Sequence, residues 1–182
     1  MSHLGNWEMA ARLLGQQTSD LRLLLYMGVK EKEGVEKMQK DDLRRAGVTI
    51  IDVDQEGGSP FTAVEGIRHL QSGGIVSMTG DIVWRHDQRK IKVQFLGHDA
   101  WVPEAPYIFA LLSGAPLIAF FALRTGRNTY RFQMSTPINI NPASRRDRPR
   151  AIAAAAQQYA DLLAKIVREH PFEWYHFDRF LQ

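Results

Sequence analysis

The residues best suited to chemistry stand at the start of the chain, in Met1-Ser-His-Leu-Gly-Asn-Trp-Glu8. His3 and Glu8 are an imidazole and a carboxylate. A carboxylate on one ring nitrogen orients a histidine and stabilises its charged form, which leaves the other nitrogen to take a proton. Such a pair can activate a substrate hydroxyl with no serine or cysteine nucleophile. One continuous helix cannot present both residues on a face, because five positions turn through roughly 500°. With Asn6 as N-cap, Glu8 falls in the first helical turn and His3 in the loop before it, where the ring can fold back over the carboxylate. By spacing alone, a surface histidine and a helix-start glutamate is the simpler reading. A base at residue 3 would also sit where chain ends fray.

The elements that must position this pair follow in order. Asn6–Gly15 reads as a helix, in which Arg12 can pair with Glu8 at i, i+4. Leu21–Met27 is a strand-length apolar run, Glu31–Arg45 favours helix, and Val48–Val53 is β-branched and strand-like. Asp54–Ser59 is a polar loop. Ser59-Pro60 opens a helix that runs to about Gln71 and ends at Gly73-Gly74. Ile75–Met78 is a short strand closed by Thr79-Gly80-Asp81. Ile91–Phe95 alternates like a strand. Ala105–Leu112 is helical, Pro116–Leu123 a core strand, and Thr129–Met134 its hairpin partner across Gly126. Pro137–Pro149 is irregular, Arg150–Arg168 is a long helix, and an aromatic tail follows His170-Pro171. Strands alternating with helices predict an α/β fold, a mixed sheet flanked by helices, in one domain over residues 1–182.

Composition narrows the function. Of 182 residues, 45% are hydrophobic and 24% charged, as in soluble globular proteins. No cysteine is present, so disulfides and thiolate zinc sites are excluded. His69, His86, His98, His170 and His176 lack metal-ligand spacing, and the glycines at 73, 74 and 80 form no nucleotide loop. No metal and no bound cofactor is expected. A net charge of +3 does not indicate nucleic acid. The basic clusters Arg85–Lys92 and Arg145–Arg150 suit anionic lipid headgroups, an acidic carrier protein or phosphate, or are two solvated loops. Arg124 and Arg127 can bind phosphate but fit a hairpin turn better. Ala105–Leu123 carries no charge for nineteen residues. Ser113-Gly-Ala-Pro116 breaks it, so a helix and then a strand explain it better than a membrane span. The tail aromatics Phe172, Trp174, Tyr175 and Phe177 either insert at a membrane interface beside Arg145–Arg150 or, the preferred reading, cover the sheet.

A longer comparison of motifs sharpens the function. His3-Leu-Gly-Asn-Trp-Glu8 resembles the first motif, H-x4-D/E, of the bacterial lipid A biosynthesis acyltransferases, within the lysophospholipid/glycerol-3-phosphate acyltransferase superfamily. Leu70–Asp81 (LQSGGIVSMTGD), Val93–Pro103 (VQFLGHDAWVP) and Ala110–Phe121 (ALLSGAPLIAFF) are similar to later blocks of the family, in order. Arg124 with Tyr130–Pro137 resembles the strand pair that follows, and Arg168–Phe180 (REHPFEWYHFDRF) the closing signature.

The resemblance implies a glycerol-3-phosphate acyltransferase type of fold and acyl transfer to a hydroxyl of a lipid or glycolipid. The donor would be an acyl-carrier-protein or coenzyme A thioester. His3 would be the general base and Glu8 its orienting carboxylate, with Asn6, Trp7, Thr79, Gly80 and Asp81 in the acceptor pocket. Trp7 can equally be core packing and Asp81 a turn residue. The expected setting is peripheral, on the cytoplasmic face of a bacterial inner membrane. Family members usually carry a membrane-anchoring helix and further elements before H-x4-E, so an amino-terminal truncation is expected here. Gly28–Lys40 also lacks the arginine-rich look of an acceptor-binding segment, which leaves the acceptor open. The alternatives are an inactive lipid- or carrier-binding remnant and an acyl-thioester hydrolase.

Overall fold

A computed structural model describes residues 2–6, 22–28, 41, 43–45, 47–53, 60–83, 88–127, 129–176 and 180–181. The chain divides into two units, Glu8–Met78 and Met1–Trp7 with Thr79–Gln182.

In the first unit, β1 (Leu23–Gly28) lies between β2 (Thr49–Val53) and β3 (Ile75–Ser77), parallel to both. Parallel strands need apolar side chains on both faces. Accordingly, Leu23, Leu24, Leu25 and Tyr26 are consecutive and all buried. α1 (Pro60–Gln71) precedes β3. It stops as the glycines predict: Gly73 takes a left-handed φ of 84°, and Gly73 and Gly74 N–H groups return to Leu70 and His69 carbonyls. The His69 ring packs against Gly74, and its Nε2 lies 2.8 Å from the Arg22 carbonyl. That gives His69 a structural role. The predicted helices over Asn6–Gly15 and Glu31–Arg45 fall largely outside the described residues, as does the Glu8–Arg12 pair.

The second unit holds two antiparallel hairpins and a long helix. β4 (Lys90–Phe95) pairs with β5 (His98–Pro103) across a tight turn in which Leu96 and Gly97 both have positive φ, 54° and 86°. This is the geometry that follows strand twist. α2 (Ala105–Ser113) ends at Gly114, with φ 76° and its N–H on the Ala110 carbonyl. The chain then enters β6 (Phe120–Arg124), which pairs with β7 (Tyr130–Met134). The uncharged run from Ala105 is therefore a nine-residue helix, a break and a strand. Among the described residues, no helix is long and apolar enough to cross a membrane.

α3 (Arg148–Glu169) supplies the core. Ile152, Ala155, Ala156, Tyr159, Leu163, Ile166 and Val167 recur at helical spacing and are buried. The helix packs on β4 and α2. Gln157 docks it like an extra strand residue: its Oε1 accepts the Gln94 N–H at 2.8 Å and its Nε2 donates to the Gln94 carbonyl at 2.9 Å. The basic cluster and the aromatic tail lie at opposite ends of this 22-residue helix, roughly 33 Å apart at 1.5 Å per residue. They do not form the joint patch considered from sequence. Within the tail, Trp174 packs on Phe95 and Phe180, as the covering role requires, whereas Phe172 is exposed.

Candidate active site

His3 is held by main-chain bonds on both sides. Leu4 bridges antiparallel to Trp174, and Gly5 bridges parallel to Ala122 in β6. The Gly5 N–H donates to the Glu173 carbonyl at 2.7 Å, Asn6 N–H to Ala122 at 2.8 Å, and Tyr175 N–H to the His3 carbonyl at 2.9 Å. Leu4 is fully buried in the core. Residues 4 and 5 thus make isolated bridges that tie this segment to β6 and to the tail after α3. Glycine is required at position 5, where φ is 77° and a Cβ would stand 2.0 Å from the Ala122 oxygen.

Among the described residues, Asp81 places a carboxylate on His3. Its Oδ1 lies 3.0 Å from His3 Nδ1. Its Oδ2 accepts the His3 main-chain N–H at 2.7 Å and the Trp174 indole N–H at 3.1 Å. The Asp81 side chain is wholly buried and the His3 side chain 22% exposed. Burial by itself pushes a carboxyl pKa up. The bond and charge of His3, its N–H and the Trp174 indole outweigh that push and hold Asp81 below its ordinary value. An ionised carboxylate only accepts, so Nδ1 carries a proton, and in the neutral ring the lone pair is then on Nε2.

The loop beneath is shaped by packing. Gly80 is buried against Tyr159 of α3, where a Cβ would come within 2.7 Å of the phenol. The Tyr159 hydroxyl is buried with no hydrogen-bond partner among the described residues. Burial, then the charge of Asp81, pushes its pKa well up.

Of the residues singled out from sequence, His3, Asn6, Thr79, Gly80 and Asp81 belong to this one unit, and His3 touches Asp81. Trp7 and Glu8 lie outside the described residues. Sequence reasoning placed Asp81 in the pocket rather than on the imidazole, treated Trp174 as a tail aromatic, and considered His176 only as a histidine without metal-ligand spacing. The missed signal was the indole N–H, which needs an acceptor when its ring is buried. His176 Nε2 is 3.0 Å from the Asp81 main-chain oxygen.

Several of the described cations are committed. Arg124 donates to the carbonyls of Gly126 and Arg127 and so organises the β6–β7 turn. Lys92 pairs with Asp99, and Arg89 with Glu104. Arg145, Arg146, Arg148 and Arg150 remain exposed. Among the described residues, no group of three or more His, Cys, Asp or Glu side chains is placed to hold a metal ion.

A partly exposed imidazole on a buried carboxylate is an arrangement that can serve general-base chemistry. The family model for bacterial lipid A biosynthesis acyltransferases matches residues 1–182. The chain belongs to that family. Membership in the lipid A biosynthesis acyltransferases implies an acyltransferase, and it confirms the family that the H-x4-E block and its ordered followers suggested. No curated protein matches the chain.

Proposed function

We propose that this family member transfers a fatty acyl group from an acyl thioester to a hydroxyl of a lipid or glycolipid, with His3 as general base and Asp81 as its orienting carboxylate. The observation that carries this reading is the 3.0 Å contact between His3 Nδ1 and the buried Asp81 Oδ1. In the proposed step, His3 Nε2 takes the acceptor hydroxyl proton as the oxygen attacks the thioester carbonyl carbon. Asp81 stabilises the imidazolium. Collapse of the tetrahedral intermediate breaks the C–S bond. The leaving thiolate takes the proton from Nε2, giving the ester and a free thiol. Oxyanion donors would come from backbone N–H groups or a nearby cation.

Asn6, Trp7, Thr79 and Gly80 are proposed to line the acceptor pocket. Asp81 is proposed to orient His3; Glu8, first expected in that role, lies outside the described residues, so variants are to separate the two carboxylates. The donor is proposed to be an acyl-carrier-protein or coenzyme A thioester. The exposed arginines at the start of α3 suit an anionic partner, and the cytoplasmic face of a bacterial inner membrane is the proposed setting.

The test is incubation with labelled acyl-carrier protein or acyl-coenzyme A and a panel of lipid hydroxyl acceptors. Transfer that vanishes in His3→Ala supports the reading. Acyl release without acceptor would make the protein a hydrolase, and binding without turnover a non-catalytic carrier of lipid or donor.

A further inference from the structure

The tail after α3 does more than cover the core. Residues 174–176 run alongside residues 3–5: Leu4 bridges Trp174, and the Tyr175 N–H meets the His3 carbonyl. In an extended segment, alternate side chains share a face. Trp174 and His176 both turn to Asp81, while Tyr175 between them is half exposed. The two inward residues grip different parts of the same aspartate. Trp174 donates to the carboxylate, and His176 Nε2 lies 3.0 Å from the main-chain oxygen. A carbonyl can only accept, so this contact fixes a proton on His176 Nε2.

The His176 ring is fixed in turn. Its centroid is 5.2 Å from Trp174 and 5.0 Å from Phe180, and it stands nearly perpendicular to the His3 ring at 6.3 Å. Asp81 is thereby held at both ends, its carboxylate by His3 and Trp174 and its peptide by His176. Loss of the peptide anchor lets the residue turn about its own backbone, which moves the carboxylate relative to His3 Nδ1.

We propose that His176 is a positioning residue of the His3–Asp81 pair, acting through the Asp81 main chain. This rests on the reading of His3 as base, but part of its test does not need activity. In wild-type protein, a long-range 1H–15N spectrum of neutral His176 is expected to show the proton on Nε2. The Nδ1-protonated tautomer would overturn the proposal. His176→Phe keeps an aromatic ring against Trp174 and Phe180 but has no donor. It is expected to broaden or shift the His3 Nδ1–H resonance and to lower kcat roughly tenfold or more with KM nearly unchanged. His176→Gln restores an N–H and is expected to recover most of both signals. An unchanged His3 resonance in His176→Phe, a change in KM alone, or a Gln variant no better than Phe would each overturn it. If wild type shows no transfer, the acyltransferase reading fails, while the tautomer and the His3 resonance still decide the role of His176.

Discussion

Asp81 Oδ2 accepts two N–H groups, from the His3 backbone and from the Trp174 indole, while Oδ1 faces His3 Nδ1. An asparagine here would place its carbonyl oxygen where two donors converge, so its amide N–H would point at Nδ1. The imidazole would then carry its proton on Nε2, where it cannot act as a base. Asp81→Asn is therefore expected to lower kcat about 10²- to 10⁴-fold without unfolding the protein. Steady-state kinetics beside a thermal melt check this. Trp174→Phe removes one hydrogen bond to a buried charge and should cost about 1.5–3 kcal/mol in denaturant unfolding. A midpoint unchanged from wild type would show that the indole bond contributes nothing.

The segment of residues 3–6 is held by main-chain bonds to Ala122, Glu173 and Tyr175. Gly5→Ala is expected to dislodge it, since the new Cβ meets the Ala122 oxygen at a φ of 77°. Strain and overpacking together should exceed about 2 kcal/mol. Tyr159 in α3 makes the opposite prediction. Its hydroxyl is buried and unpartnered among the described residues, so Tyr159→Phe should be neutral or stabilising by about 1–2 kcal/mol. A loss above that size would reveal a partner. Most elements were legible because periodicity and glycine stops are local signals. α3 came within two residues at its start, and β1, β3 and β4 within two. β5 was missed as a strand because Leu96-Gly97 is not a usual hairpin pair, although it adopts the geometry of one. β6 proved shorter than Pro116–Leu123, since Leu117 only bridges Ile138. The candidate site was half legible: His3 and Asp81 were both named, but a contact across 78 positions leaves no periodic trace.

The unit made of Met1–Trp7 and Thr79–Gln182 brings His3, Asp81, Trp174 and His176 together from three parts of the chain. Its stability should carry the mark of the buried carboxylate. Asp81 titrates below its ordinary 3.8 when folded. Its contribution is therefore present above that value and lost as the pH falls through the lower folded one. Unfolding free energy followed from pH 6 downward should fall less steeply in Asp81→Asn than in wild type, roughly below pH 4. The central claim, a His3 base oriented by Asp81, is tested most directly by single-turnover acyl transfer to a lipid hydroxyl in wild type, His3→Ala, Glu8→Gln and Asp81→Asn. Transfer should vanish in His3→Ala and fall at least about a hundredfold in Asp81→Asn. A folded Asp81→Asn protein that transfers at the wild-type rate would contradict the account.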